Sequence, residues 1–79
     1  MTIESTTYGA HWDDPMIKVN YADGRSLAWV RRDDGAWRDI HPAESHNMRV
    51  YSEALFNEMW PKIGRPVVPS IDELPPIKR

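Results

Sequence analysis

The chain contains no cysteine, which excludes disulfides, thiolate metal sites, iron–sulfur clusters and a cysteine nucleophile. It also lacks any run approaching the roughly 20 apolar residues that cross a bilayer as a helix, because charges or prolines interrupt each apolar stretch early. An excess of one charge is missing too: ten Lys and Arg against twelve Asp and Glu leave a net charge of -2. The broad basic field behind most non-specific nucleic-acid binding is therefore absent. The four glycines form no phosphate-cradling loop, and no serine sits in a nucleophile elbow. The segment 1–10 has neither the basic start nor the apolar stretch of a secretory leader, so a cytoplasmic location and no membrane association are expected.

What is present suits one small folded domain. At 79 residues there is material for a single core, and 41% hydrophobic with 28% charged residues is too apolar and too balanced for a disordered chain. Residues 1–15, with Gly9, the pair Asp13-Asp14 and Pro15 but no sustained periodicity, read as an N-terminal arm, flexible or docked, with room for a strand and with Trp12 as its anchor. From Met16 the residues Ile17, Val19 and Tyr21 alternate with Lys18 and Asn20, the period of a strand. Asp23-Gly24 reads as a two-residue hairpin loop before a second strand over 26–32. Asp33-Asp34-Gly35 marks another turn before a third strand over 37–40.

That two-residue loop would pair Val19 with Ala28 and Ile17 with Val30, leaving Leu27 and Trp29 on the opposite face and in need of a cover. His41-Pro42-Ala43-Glu44 then reads as a helix start, with Ser45 or Asn47 as further cap candidates. Continued to Trp60, such a helix aligns Met48, Tyr51, Leu55 and Met59 on one stripe and sets Phe56 and Trp60 beside it as surplus apolar surface. Pro61 ends it. Past Ile63 four prolines favour an extended tail, apolar enough at Val67, Val68, Ile71, Leu74 and Ile77 to dock, and Ser70–Glu73 has the pattern of a capping box. The expected architecture is α+β: a three-stranded antiparallel β-meander packed against one α-helix. Its parts are an arm (1–15), a meander-plus-helix core (16–62) and a proline-rich tail (63–79), docked or partner-binding.

Three chemistries can be weighed against structural roles for the same residues. His11-Trp12-Asp13-Asp14 and His41–His46 bring imidazoles and carboxylates together, but His41 and His46 lie five apart across a proline, whereas one helix face presents ligands three or four apart. No metal, cofactor or catalytic residue is expected, and so no enzyme. Arg31, Arg32 and Arg38 beside Trp29 and Trp37 are the mixture a sheet uses to stack bases and neutralise phosphates. The interleaved aspartates make cross-strand ion pairing on a solvated face the commoner reading of the same residues. Four Trp, three Tyr and one Phe form the strongest signal, since Trp, Tyr and Arg dominate interface hot spots.

The expected function is a small non-catalytic protein-binding module that masks its partner by steric occlusion. Its expected contacts are Trp29, Trp37, Arg49, Phe56 and Trp60. The alternative is nucleic-acid binding through Arg31, Arg32 and Arg38, and pairing of an exposed apolar face into a homodimer is also compatible. The PxxP spacing Pro66-Val67-Val68-Pro69 fits either a ligand for an aromatic groove or a tail laid along its own domain. Seven Arg against three Lys point to a GC-rich genome, and a short, cysteine-free, single-domain chain of that kind looks like a bacteriophage or mobile-element product that inhibits a host protein, which is the expected origin.

Overall fold

The computed structural model describes residues 3–32 and 35–75, without the side chain of Glu4. Its strands are β1 (Ile3–His11), β2 (Asp14–Tyr21), β3 (Ser26–Arg31), β4 (Trp37–Ile40) and β5 (Met48–Tyr51), with one helix, α1 (Glu53–Met59). They form an antiparallel sheet in the order β4-β3-β2-β1-β5. The α+β class and the single helix match expectation, and β2–β3–β4 is the expected meander. The sheet nevertheless has five strands, not three. β1 escapes the periodicity argument because Ser5, Thr6 and Thr7 put short polar side chains on both of its faces, which suits a strand but shows no apolar alternation.

The first hairpin is offset by one residue from the expected register. Tyr21 N–H donates to Arg25 O at 2.8 Å and Gly24 N–H to Tyr21 O at 3.1 Å, so the loop is Ala22-Asp23-Gly24, with Gly24 at φ 92°. Three-residue loops of this kind end on a left-handed glycine. The extra residue pairs Ile17 with Trp29 and Val19 with Leu27. Because side chains alternate with period two, this single step moves Leu27 and Trp29 onto the face of Ile17, Val19 and Tyr21. Of the second turn, Gly35 takes φ 82° and donates to Arg32 O at 2.9 Å, while Asp33 and Asp34 lie outside the described residues.

The long helix expected from His41 to Trp60 is replaced by three short pieces. Pro42–Asn47 is a 3-10 helix, capped by His41 rather than by Ser45 or Asn47: the His41 imidazole accepts from Ala43 N–H at 3.1 Å. Met48–Tyr51 is β5, and Ser52 caps α1, its hydroxyl accepting from Leu55 N–H at 3.1 Å. The stripe Met48, Tyr51, Leu55 and Met59 is thereby dissolved, since two members lie in a strand and the other two are exposed on α1. Val50 and Tyr51 favour extended backbone, and β1 offers them a lane to pair with.

That lane depends on Gly9, where an added Cβ would sit 2.0 Å from Arg49 O. Gly9→Ala must push β5 outward, and overpacking of this kind costs about 1–3 kcal/mol. A fall in melting temperature of about 4–8 °C per kcal/mol is expected for a domain of this size. An unchanged melting curve would show that β5 does not lie against β1.

The sheet buries both faces. Ile17, Val19, Tyr21, Trp29 and Phe56 form the main cluster on one face, covered by α1 and by Ile63, Val68, Ile71 and Leu74. Met16, Ala28 and Val30 are buried on the other face, beside the 3-10 helix, where Lys18 Nζ donates to Ser45 Oγ at 3.3 Å. A tail rich in proline has carbonyls but few N–H groups, so donors must come from elsewhere. Tyr21 Oη donates to Pro69 O at 2.6 Å, Trp37 Nε1 to Gly64 O at 3.2 Å, and Arg25 to Pro75 O. The capping box at Ser70–Glu73 forms, closing one 3-10 turn over Ile71–Glu73. Residues 76–79, including Ile77, lie outside the described part.

Tyr21 makes this arrangement pH-sensitive. Burial, followed by the nearby Glu73 carboxylate, raises its phenol above the ordinary value of 10.0. The folded protein therefore holds the proton more tightly than the unfolded chain does. The corresponding stability is complete below pH 10 and is lost as pH rises through the raised folded value. Tyr21→Phe should flatten the alkaline arm of a melting-temperature profile and cost about 1 kcal/mol at neutral pH through the lost bond to Pro69. An alkaline arm as steep in the variant as in the parent would refute the assignment.

Candidate functional site

The five aromatic and arginine side chains expected to meet a partner separate into buried and exposed groups. Trp29 is 6% exposed and Phe56 is 0% exposed, so neither has surface to offer in this fold. Trp37 is half-buried, with its indole N–H committed to Gly64. Trp60 is half-buried between Tyr51 and Phe56, at ring-centroid distances of 6.2 and 5.2 Å. Arg49 alone of the five is exposed, on the edge strand β5.

The arginines considered for nucleic acid do not converge on one surface. Arg31 pairs across the sheet with Trp37, and Arg38 with Val30, which places Arg31 and Arg38 on opposite faces. Arg32 follows the end of β3 and lies 3.8 Å from the Asp14 carboxylate. The two indoles expected to stack on bases are the buried Trp29 and the half-buried Trp37.

The exposed aromatic side chain is one assigned above to anchoring. Trp12 sits at the tip of the β1–β2 hairpin, where His11 pairs with Asp14, and is 76% exposed. Its φ is 58°. In two-residue hairpins a positive φ at the first loop position is ordinarily supplied by glycine, or by Asn or Asp. Trp12 thus combines a strained backbone with a large apolar group in water, and strain of this kind amounts to about 1–3 kcal/mol. Beside it, Trp12, Ala10, Asn47 and Arg49 line a hollow of about 180 Å³, and Val50 stands 67% exposed on the adjoining edge. The sequence signal for Trp12 was the lack of glycine between His11 and Asp14, legible only once both flanking segments are recognised as strands.

Behind this tip His11 is buried, with Nε2 3.4 Å from Glu44 Oε2. That separation is within ion-pair range but does not make a hydrogen bond, and neither ring nitrogen has a hydrogen-bond partner. The imidazole packs edge-on to Trp12, with ring centroids 6.3 Å apart, and so supports the base of the exposed indole.

A second concavity lies on the α1 face of the sheet. Ile3, Ile17, Val19 and Val68 give an aliphatic trough of about 320 Å³, bordered by Thr6 and closed at one end by Tyr8, Glu53 and Arg65. Tyr8 Oη donates to Glu53 Oε2 at 3.2 Å, and the Arg65 guanidinium lies over the Tyr8 and Phe56 rings at 5.6 and 5.0 Å. Burial, reinforced by the Glu53 charge, raises the Tyr8 phenol, so the ring is a neutral donor throughout the neutral range.

Among the described residues no helix is long and apolar enough to cross a membrane. No protein family, no curated protein and no solved structure matches the chain.

Proposed function

We propose that the chain is a non-catalytic protein-binding module that occludes a surface of its partner, with the Trp12 hairpin tip and the adjoining Arg49 and Val50 as the contact. The observation that carries this reading is Trp12, an exposed tryptophan held at positive φ. Tryptophan and arginine are the side chains that concentrate binding energy at interfaces, and a projecting hairpin presents them without rearrangement. Local strain kept at a side chain that is largely in water is a mark of function rather than of stability. Occlusion needs no cofactor and no chemistry beyond surface complementarity.

The test is affinity capture from a lysate of the source or host cell, using tagged full-length chain in moderate salt, with and without nuclease, read by mass spectrometry. A single protein retained after nuclease treatment, and lost with a Trp12→Ala bait, is the expected result. Recovery of nucleic acid that falls steeply with salt would replace this reading with binding through the arginines.

A further inference from the structure

The outer edge of β1 is only half covered. β5 pairs with Tyr8, Gly9, Ala10 and His11, and the chain then turns into α1 at Ser52. Among the described residues Ile3–Thr7 therefore pair on the β2 side alone. The direction of the unused groups follows from the ladder. Tyr21 N–H points to Arg25 across the hairpin, so Val19 and Ile17 also face β3, while Asn20 and Lys18 face β1. Their partners Ser5 and Thr7 face β2, which leaves Thr6 between them with its N–H and C=O directed outward. The register irregularity between Ile3 and Ser5 lies just beyond, so Ser5–Thr7 is a regular stretch of open edge.

The aliphatic trough adjoins this stretch. Thr6, short and exposed, is its border with the open edge, and Ile17, Val19 and Val68 lie inside. We infer that the Ser5–Thr7 edge and the trough together accept an extended segment of a partner protein, which adds as a sixth strand and lays an apolar side chain over Thr6 into the trough. Backbone pairing gives such a complex its affinity, and pockets for alternate side chains give it specificity. An outward N–H and C=O beside an apolar hollow is matched by a peptide rather than by an apolar small molecule.

A second copy is the poorer occupant, because its own edge would bring only Ser5, Thr6 and Thr7 to an aliphatic trough. The segment must carry an aliphatic or aromatic side chain at the seated position and polar ones on either side of it. Glu53 and Arg65 close one end of the trough, so the side chain two residues along in that direction is polar or charged. The inference rests on the protein-binding reading but not on Trp12, which lies at the far end of β1.

The probe is a library of blocked heptapeptides with alternating apolar and polar positions, selected on the full-length chain and followed by hydrogen exchange with the best binder. Exchange of the Thr6 amide should slow at least tenfold on binding. N-methylation of the peptide amide that donates to Thr6 C=O should weaken binding tenfold or more, as should Thr6→Pro, which removes the outward donor. Asp39→Ala, on the opposite edge strand β4, should bind the peptide as the parent does. If Thr6→Pro does not fold, the N-methylated peptide tests the same bonds on the unaltered chain.

Three results would overturn the proposal. One is protection at Met48–Tyr51 or Trp37–Ile40 with none at Thr6. Another is an N-methylated peptide that binds undiminished. The third is a doubled molar mass without peptide and with the Thr6 amide already protected, which would assign the edge to a second copy. Retention of a cellular partner through Trp12 alongside any of these would leave the occlusion reading standing while removing this one.

Discussion

Phe56→Ala is expected to remove about 3–5 kcal/mol of folding free energy, the cost of emptying a buried aromatic site that cannot collapse. Phe56 is the residue through which α1 reaches the main core cluster, at 0% exposure, against Tyr8 and Trp60 at ring-centroid distances of 5.3 and 5.2 Å. The Arg65 guanidinium lies over the same ring, so the substitution also frees the tail at its first crossing of the sheet. At about 0.05–0.15 kcal/mol per residue, a chain of 79 residues has a total stability of only about 4–12 kcal/mol. The variant should therefore be largely unfolded or melt far below the parent, as read by urea titration and near-ultraviolet circular dichroism. A variant that melts with the parent would show that Phe56 is not part of the core.

Trp12→Gly should do the opposite to the fold and more to the function. Trp12 buries little, and glycine takes a positive φ without steric penalty, so relief of about 1–3 kcal/mol of strain offsets the roughly 0.5–1 kcal/mol of extra chain entropy that glycine loses on folding. Melting temperature should hold or rise. Affinity for the partner should fall by about 2 kcal/mol or more, roughly thirtyfold, because an exposed tryptophan at the centre of a contact has the magnitude of a hot spot. The combination is diagnostic, since a tryptophan serving the core would lose stability and binding together. If the variant melts markedly lower while binding as before, the hairpin tip is a structural element and the occlusion surface lies elsewhere.

How much of this was legible beforehand differs from element to element. The three strands of the meander stand out because Ile17, Val19 and Tyr21 alternate with Lys18 and Asn20 in β2 and turn glycines precede β3 and β4. The register between β2 and β3 does not, because Asp23-Gly24 serves a two-residue and a three-residue loop equally well. What decides is that the longer loop puts Leu27 and Trp29 under the tail. The expected helix runs too far for a related reason: spacings of three and four recur in Met48, Tyr51, Leu55 and Met59, yet the first two pair with β1 instead of joining a helical stripe. Of the expected contact residues, Arg49 keeps its exposure, whereas Trp29 and Phe56 enter the core. The exposure of Trp12 is not legible in the sequence, because a tryptophan in a turn carries no periodic signal.

By itself the amino-acid sequence determined the α+β class, the hairpin and turn positions near Gly24 and Gly35, the short turn after Ser70 and the absence of any thiol chemistry, since each of these depends on residues close together in the chain. Only the tertiary structure decided that β1 and β5 join the sheet, which face Trp29 occupies, where the tail lies and which tryptophan remains in water. Those outcomes depend on competition among distant segments for the same edges and the same apolar area. Gly9 admits β5, one extra loop residue turns β3 over, and a proline-rich tail takes its hydrogen bonds from Tyr21, Trp37 and Arg25.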